Sequence, residues 1–149
     1  MSEASSGVRG ELRETVSFRG HRMVRSFHPT TIEVTTEGYL SENGDCIIGV
    51  EASKGCAQLD ERIKAGLRRE GARAVIKIIA GSLSFEVRAS GDPRLELSNP
   101  HEMVIRRSDF VSDRTLAVHA DAAARDIPRE MVRLLKDPAT AGRLEIEVV

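Results

Sequence analysis

The strongest constraint on the fold is an internal repeat. Gly20 and Gly91 stand 71 residues apart, and the same offset pairs Leu12 with Leu83, Val16 with Val87, Val24 with Leu95 and Pro29 with Pro100. It continues through Ile32 with Met103, Val34 with Ile105, Tyr39 with Phe110, Leu40 with Val111 and Ser41 with Ser112. The first copy then carries three extra residues. The offset falls to 68, pairing Val50 with Val118, Ala52 with Ala120, Leu59 with Ile127, Ile63 with Met131 and Leu67 with Leu135. Most matches are apolar, as two copies of one structural unit require, because a core face must be kept and a surface need not be. Segments 11–80 and 82–149 are therefore expected to be tandem β-rich repeats within one pseudo-two-fold domain, preceded by a loose polar tail over 1–10.

Local periodicity fills in the elements. Strands are expected over 11–19, 23–27, 30–35 and 46–50, then over 73–80 and 82–90, joined by a tight hairpin at Gly81-Ser82. The second copy repeats the order with strands over 94–98, 102–107, 115–120 and 143–149. In the strand over 30–35, Ile32 and Val34 face one way and Thr31, Glu33 and Thr35 the other. Each copy carries one helix. The first spans 59–70, with Leu59, Ile63 and Leu67 on one stripe and Gly71 beyond its end. The second lies within 121–136, with Asp126 as N-cap and Pro128 in its first turn. Many short strands with two helices predict a mainly β fold with some α content, a sandwich or a barrel.

Composition narrows the function classes. The net charge of −1 gives no global field for nucleic acid. Aromatic residues make up only 3%, too few for a base-stacking platform. No apolar run approaches a membrane span, and the polar start lacks the apolar core of a signal peptide, so a cytosolic protein is expected. Abundant Arg with a single Gln leans towards a thermophile. Cys46 and Cys56 do not form a disulfide framework.

The residues able to do chemistry gather between Arg19 and Val50. His21, His28, Asp45 and Cys46 offer an imidazole, carboxylate and thiolate set suited to zinc or iron, although their spacing matches no known ligand motif. The bland alternative has both histidines bonding loop backbone and Cys46 acting as a small hydrophobe. Glu33 is singled out by the repeat, because its partner position holds Val104. Burial would raise its carboxyl pKa towards acid–base use, whereas the competing reading is an exposed glutamate paired across strands. Ser53-Lys54-Gly55, between a buried strand and a helix, is no Walker motif and reads first as a polar loop, although its amides could cradle phosphate. Asp113 and Arg114 would point to opposite faces of a strand, so they read first as a turn-forming Asp and a structural ion pair, with an anionic ligand on Arg114 as the alternative. Arg13, Arg19, Arg22 and Arg25 cluster in sequence, the basis of a weaker RNA-associated reading.

These residues also resemble a family. Arg19-Gly20-His21, His28-x-Thr30-Thr31-Ile32-Glu33, Gly44-Asp45-Cys46-Ile47-Ile48-Gly49-Val50 and Ser108-Asp109-Phe110-Val111-x-Asp113-Arg114-Thr115-Leu116 are similar to the pattern of an uncharacterised, mainly archaeal family, domain of unknown function 371. Ser53 stands where that pattern has Asp, and Ala122 where it has Lys. The resemblance implies an archaeal cytosol and a mostly β, sandwich-like fold, and no activity. The expectation is a homo-oligomeric binding module that holds a small anionic ligand or a metal in a polar cleft. The ligand residues would be His21, Thr31, Asp45, Cys46, Lys54 and Arg114. The alternative is a small enzyme with Glu33 or His28 as acid–base group, oriented or metal-assisted by His21 and Asp45.

Overall fold

A computed structural model describes residues 12–40 and 44–149. The tail expected over 1–10, Glu11, Ser41, and the turn residues Glu42 and Asn43 lie outside the described residues. The elements run β1 (Arg13–Arg19), β2 (Thr31–Thr35), β3 (Ile47–Gly49), α1 (Glu61–Leu67), β4 (Arg73–Ala80), β5 (Leu83–Ser90), β6 (Glu102–Arg106), β7 (Thr115–Ala117), α2 (Arg129–Leu135) and β8 (Ala141–Val148). A 3-10 turn precedes each helix, at Cys56–Gln58 and Ala124–Asp126. One sheet has the order β1-β8-β4-β5 and is antiparallel throughout. The other has the order β3-β2-β6-β7, with an antiparallel central pair and parallel edge pairs. The fold is thus mainly β with two helices. Neither sheet closes into a barrel, so that form of the expectation is set aside.

Alternation explains the core. Ala74, Ile76, Ile78 and Ala80 of β4 are buried on one face while Arg73 and Lys77 of the other are exposed, as a pleated strand covered on one side requires. Leu144 and Ile146 of β8 join the same buried cluster, together with Ile32, Val34, Met103 and Ile105 of the second sheet and Ile63, Leu67, Met131 and Leu135 of the helices. The central strands of the second sheet differ from β4. Glu33 and Thr35, which point away from Ile32 and Val34, are buried as well. A strand buried on both faces with a carboxyl group on one of them needs a partner for that group.

Two expected strands are absent. Residues 23–27 and 94–98 show period-two burial, with Val24 and Ser26, then Leu95 and Leu97, turned inward. Their ladders are broken because Ser26 and Leu97 take left-handed conformations, at φ 56° and 51°. Helix cations bond the free carbonyls instead. Lys136 Nζ donates to Val24 O at 2.6 Å, and Arg129 donates to Arg25 O at 3.0 Å and Ser26 O at 2.6 Å. In the other half Arg68 donates to Leu95 O at 2.8 Å and Glu96 O at 2.6 Å. The strands expected over 46–50 and 115–120 also end early, where Glu51 and His119 turn left-handed at φ 51° and 53°. The second helix begins at Arg129 with Pro128 at its cap, and Asp126 folds back to accept from Ala123 N at 2.8 Å.

The left-handed residues other than glycine fall in two spaced pairs. Ser26 and Leu97 are 71 apart, and Glu51 and His119 are 68 apart. Across β2–β6 the residue facing Glu33 is Val104, its own counterpart at offset 71. Across β4–β8 Lys77 faces Glu145, its counterpart at offset 68. Identical charges at such self-facing positions would repel across the ladder. The chain avoids that with valine in one case and an opposite charge in the other.

Candidate functional site

Glu33 is the centre of a polar cluster on the outward face of β2 and β6. Its residue exposure is 5%. Cys46 Sγ donates to Glu33 Oε1 at 3.4 Å, and Arg114 Nη1 lies 3.9 Å from Glu33 Oε2. That guanidinium is engaged more closely by Glu102 Oε1, at 2.5 Å. Arg106 completes the group through neutral partners. It donates from Nε to Thr115 Oγ1 at 2.8 Å and from Nη2 to Ser112 Oγ at 3.3 Å. The Phe110 ring lies against its guanidinium, 4.9 Å from carbon to centroid. Among the described residues Arg106 makes no ion pair.

The electrostatics follow from this crowding. Burial, and secondarily the Glu102 carboxylate, raise the Glu33 carboxyl above the usual carboxylate range. Arg114 pulls the other way without prevailing, since Glu102 holds it. Burial also lowers the Arg106 guanidinium, helped by the nearby Arg114 charge. Burial and the Glu33 charge push the Cys46 thiol up to about 11, and burial with Asp113 pushes Cys56 up to about 12. Both are free thiols. A thiol so raised is protonated near neutrality and is a poor nucleophile. A disulfide reagent at neutral pH should therefore label neither cysteine in the folded protein and both after denaturation. The sign for stability is equally definite. Each thiol's folded pKa lies above its unfolded value of 9.0, so stability held below that pH is lost as pH rises through about 11 to 12.

Several expected site residues meet here. His28 Nδ1 accepts from the Thr30 and Thr31 amides, each at 3.2 Å, and lies 3.0 Å from the Thr31 hydroxyl. With Nδ1 so occupied, neutral His28 carries its proton on Nε2. The Thr31 hydroxyl is near enough to the Cys46 thiol to oppose its upward shift slightly. His28 and Thr31 thus stand beside a chain of contacts that runs from Cys46 through Glu33 to Arg114. Glu102, Arg106, Ser112 and Thr115 belong to it too and were not anticipated. The signal for two of them was the alternation Glu102, Val104, Arg106, which puts polar residues on the same outward face as Glu33.

The other candidates lie elsewhere. His21 Nδ1 accepts from Met23 N at 3.0 Å and makes no contact with the cluster. Asp45 Oδ1 sits 3.4 Å from Arg25 Nε without forming a hydrogen bond. Among the described residues no three His, Cys, Asp or Glu side chains converge to hold a metal, so the His21, His28, Asp45 and Cys46 set is not assembled. Lys54 is closed in a pair with the buried Glu14, whose other oxygen accepts from Asp60 N at 2.7 Å. Two of the three amides expected to cradle phosphate are used internally, Ser53 N by Ser17 O at 2.8 Å and Gly55 N by Gln58 Oε1 at 2.8 Å. Arg114 precedes β7 rather than lying within it, and its backbone carbonyl accepts from Val104 N at 2.8 Å.

Among the described residues no helix is long and apolar enough to cross a membrane. The sequence is 36% identical over 122 residues to an uncharacterized protein, MJ0206, of the archaeon Methanocaldococcus jannaschii, covering 82% of this chain and 90% of that one. The model of the family described as Domain of unknown function (DUF371) matches residues 16–149, which include Glu33, Cys46, Glu102, Arg106 and Arg114. The chain belongs to the DUF371 family.

Proposed function

We propose that the protein is a binding module whose ligand, a small anion, docks on the outward face of β2–β6 around Arg106, Arg114 and Glu33. The observation that carries this reading is the half-buried Arg106, held by hydroxyl groups and an aromatic face, with no ion pair among the described residues and with the nearby Glu33 charge not outweighing its burial. A partly desolvated cation with neutral partners gains most from an incoming anion. An incoming anion would raise the Glu33 carboxyl further, and once protonated that carboxyl can donate to the same anion. The body carrying this site is read as two copies of one unit. The recurrence of strand, strand, strand, 3-10 turn, helix and strand in each half supports that, as do the left-handed residues at the repeat offsets. Glu33 would then lie where the pseudo-two-fold axis crosses the sheet, so a single site would serve both copies.

A second reading is favoured by one feature. A buried carboxyl with a raised pKa beside a second carboxylate is the arrangement of a general acid. Native mass spectrometry of the gently purified protein tests the binding reading, with Arg106→Leu and Glu33→Gln as companions. A stoichiometric adduct on the parent, lost in Arg106→Leu, is the expected result. An adduct retained by Arg106→Leu would remove the reading. Chemical turnover of the bound compound that Glu33→Gln abolishes, while still binding it, would favour the enzyme. The same spectrum counts subunits, where a homo-oligomer is expected.

A further inference from the structure

A cavity larger than the one between β1, β4 and β8 lies away from the Glu33 cluster, beside the end of β1. It measures about 400 Å³ and is lined by Arg19, His21, Arg22, Gly38, Glu51 and Pro138 among others. The volume is within the range of small-molecule sites.

The chain supplies its own control for this place. At the repeat offsets, His21 corresponds to Asp92, Met23 to Arg94 and Gly38 to Asp109. In the second half those three residues close on one another. Arg94 pairs with Asp92 at 3.0 Å and donates from Nη2 to Asp109 O at 3.1 Å. The first half cannot make that closure, because Met23 carries no charge and His21 no carboxylate. The space is left open and its lining turns from acidic to basic. Arg22 is exposed and makes no ion pair among the described residues. Arg19 is loosely held, 3.6 Å from Glu51 and 3.5 Å from the Pro138 carbonyl. His21 accepts at Nδ1 from Met23 N, so its neutral form presents Nε2–H as a donor with no partner among the described residues.

We infer that this cavity binds a small phosphomonoester bearing hydroxyl groups, of the sugar-phosphate class. Arg22, Arg19 and His21 Nε2–H supply donors for a phosphate dianion, and guanidinium groups match its geometry. Glu51 supplies an acceptor for a hydroxyl on the same molecule. The net charge of −1 and an acidic group inside the cavity disfavour a polyanion track.

The test is titration of the full chain with ribose 5-phosphate, with inorganic phosphate and with a short RNA, followed by the imidazole ¹⁵N signals of His21 and by calorimetry. Two variants accompany it. Gly38→Asp installs the residue that occupies the closed half, and its Cβ has room, the nearest atom being Glu51 Oε2 at 3.6 Å. Arg22→Ala removes an exposed donor that the fold does not use. Ribose 5-phosphate should shift the His21 Nε2 signal and bind more tightly than inorganic phosphate, which offers Glu51 no carbon-borne hydroxyl. Each variant should weaken binding by about tenfold or more while unfolding like the parent. No binding at millimolar concentration would overturn the inference. So would equal binding by the parent and Arg22→Ala, or RNA that binds more tightly than ribose 5-phosphate.

Discussion

Replacing Gly20 or Gly91 with alanine should each cost ~3 kcal/mol or more of folding stability, among the largest effects of any methyl group added to this chain. A Cβ on Gly91 would stand 2.1 Å from Leu67 O, and one on Gly20 would stand 2.3 Å from Asp137 O and 2.6 Å from Leu135 O. These obstacles are backbone carbonyls at the helix ends, which cannot swing aside as a side chain can. They are also in use. Asp92 N donates to Leu67 O and His21 N to Leu135 O, each at 2.9 Å. The approach of strand to helix end is therefore the same in both halves, at Gly20 with Leu135 and Gly91 with Leu67. Urea unfolding of the two variants measures it. A loss in one variant and not the other would show that the halves are packed by different rules.

Phe18→Ala should destabilise by ~3–5 kcal/mol, the usual cost of deleting a buried aromatic ring, and part of that loss should be recoverable in a specific way. The Phe18 ring fills space left by two glycines. Its Cδ1 would be 2.1 Å from a Cβ on Gly49, and its Cε1 2.5 Å from one on Gly142. Gly49 belongs to one sheet and Gly142 to the other, so this ring joins the two. At the repeat offsets the three positions become Ala89, Ala117 and Ala74. One half uses a large residue with two glycines, and the other uses three alanines. Phe18→Ala combined with Gly49→Ala and Gly142→Ala should accordingly unfold at higher urea than Phe18→Ala alone. Either glycine substitution made with Phe18 intact should be severely destabilising. This non-additivity is what residues sharing one space must show.

The sequence carried the fold further than it carried the site, for physical reasons. The repeat and the period-two burial are statements about the core, and β1, β4, β5 and β8 lie close to where alternation puts them. Segments 23–27 and 94–98 misled because inward and outward alternation arises from any extended chain pressed on a core, with or without a ladder. Only the left-handed turn at Ser26 and Leu97 separates the cases, and neither residue is a glycine that would announce it. Glu33 could be picked out because its counterpart is valine. His21 and His28 could not be sorted, since each is flanked by amides that fill its Nδ1 and that use leaves no trace in residue spacing. Arg106 escaped notice because a lone arginine at a strand end reads as surface. Its significance comes from Thr115, Ser112 and Phe110, three residues brought to it by β7 and the preceding loop.

The central claim is that the Glu33 cluster is kept for a ligand rather than for stability, and Glu33→Gln tests it without knowing the ligand. Glu33's folded pKa is raised above 4.5. Its contribution is therefore complete below the usual carboxylate range and lost as pH rises through the raised value, so the ionised form is a burden at neutral pH. Glutamine keeps the shape and an acceptor for the Cys46 thiol while removing that burden. Urea unfolding at neutral pH should find Glu33→Gln as stable as the parent or more so, with the two converging in acid, where Glu33 holds its proton. A variant less stable than the parent at neutral pH by ~2 kcal/mol or more would mean that the Glu33 charge and Arg114 hold the fold together, and would contradict the account.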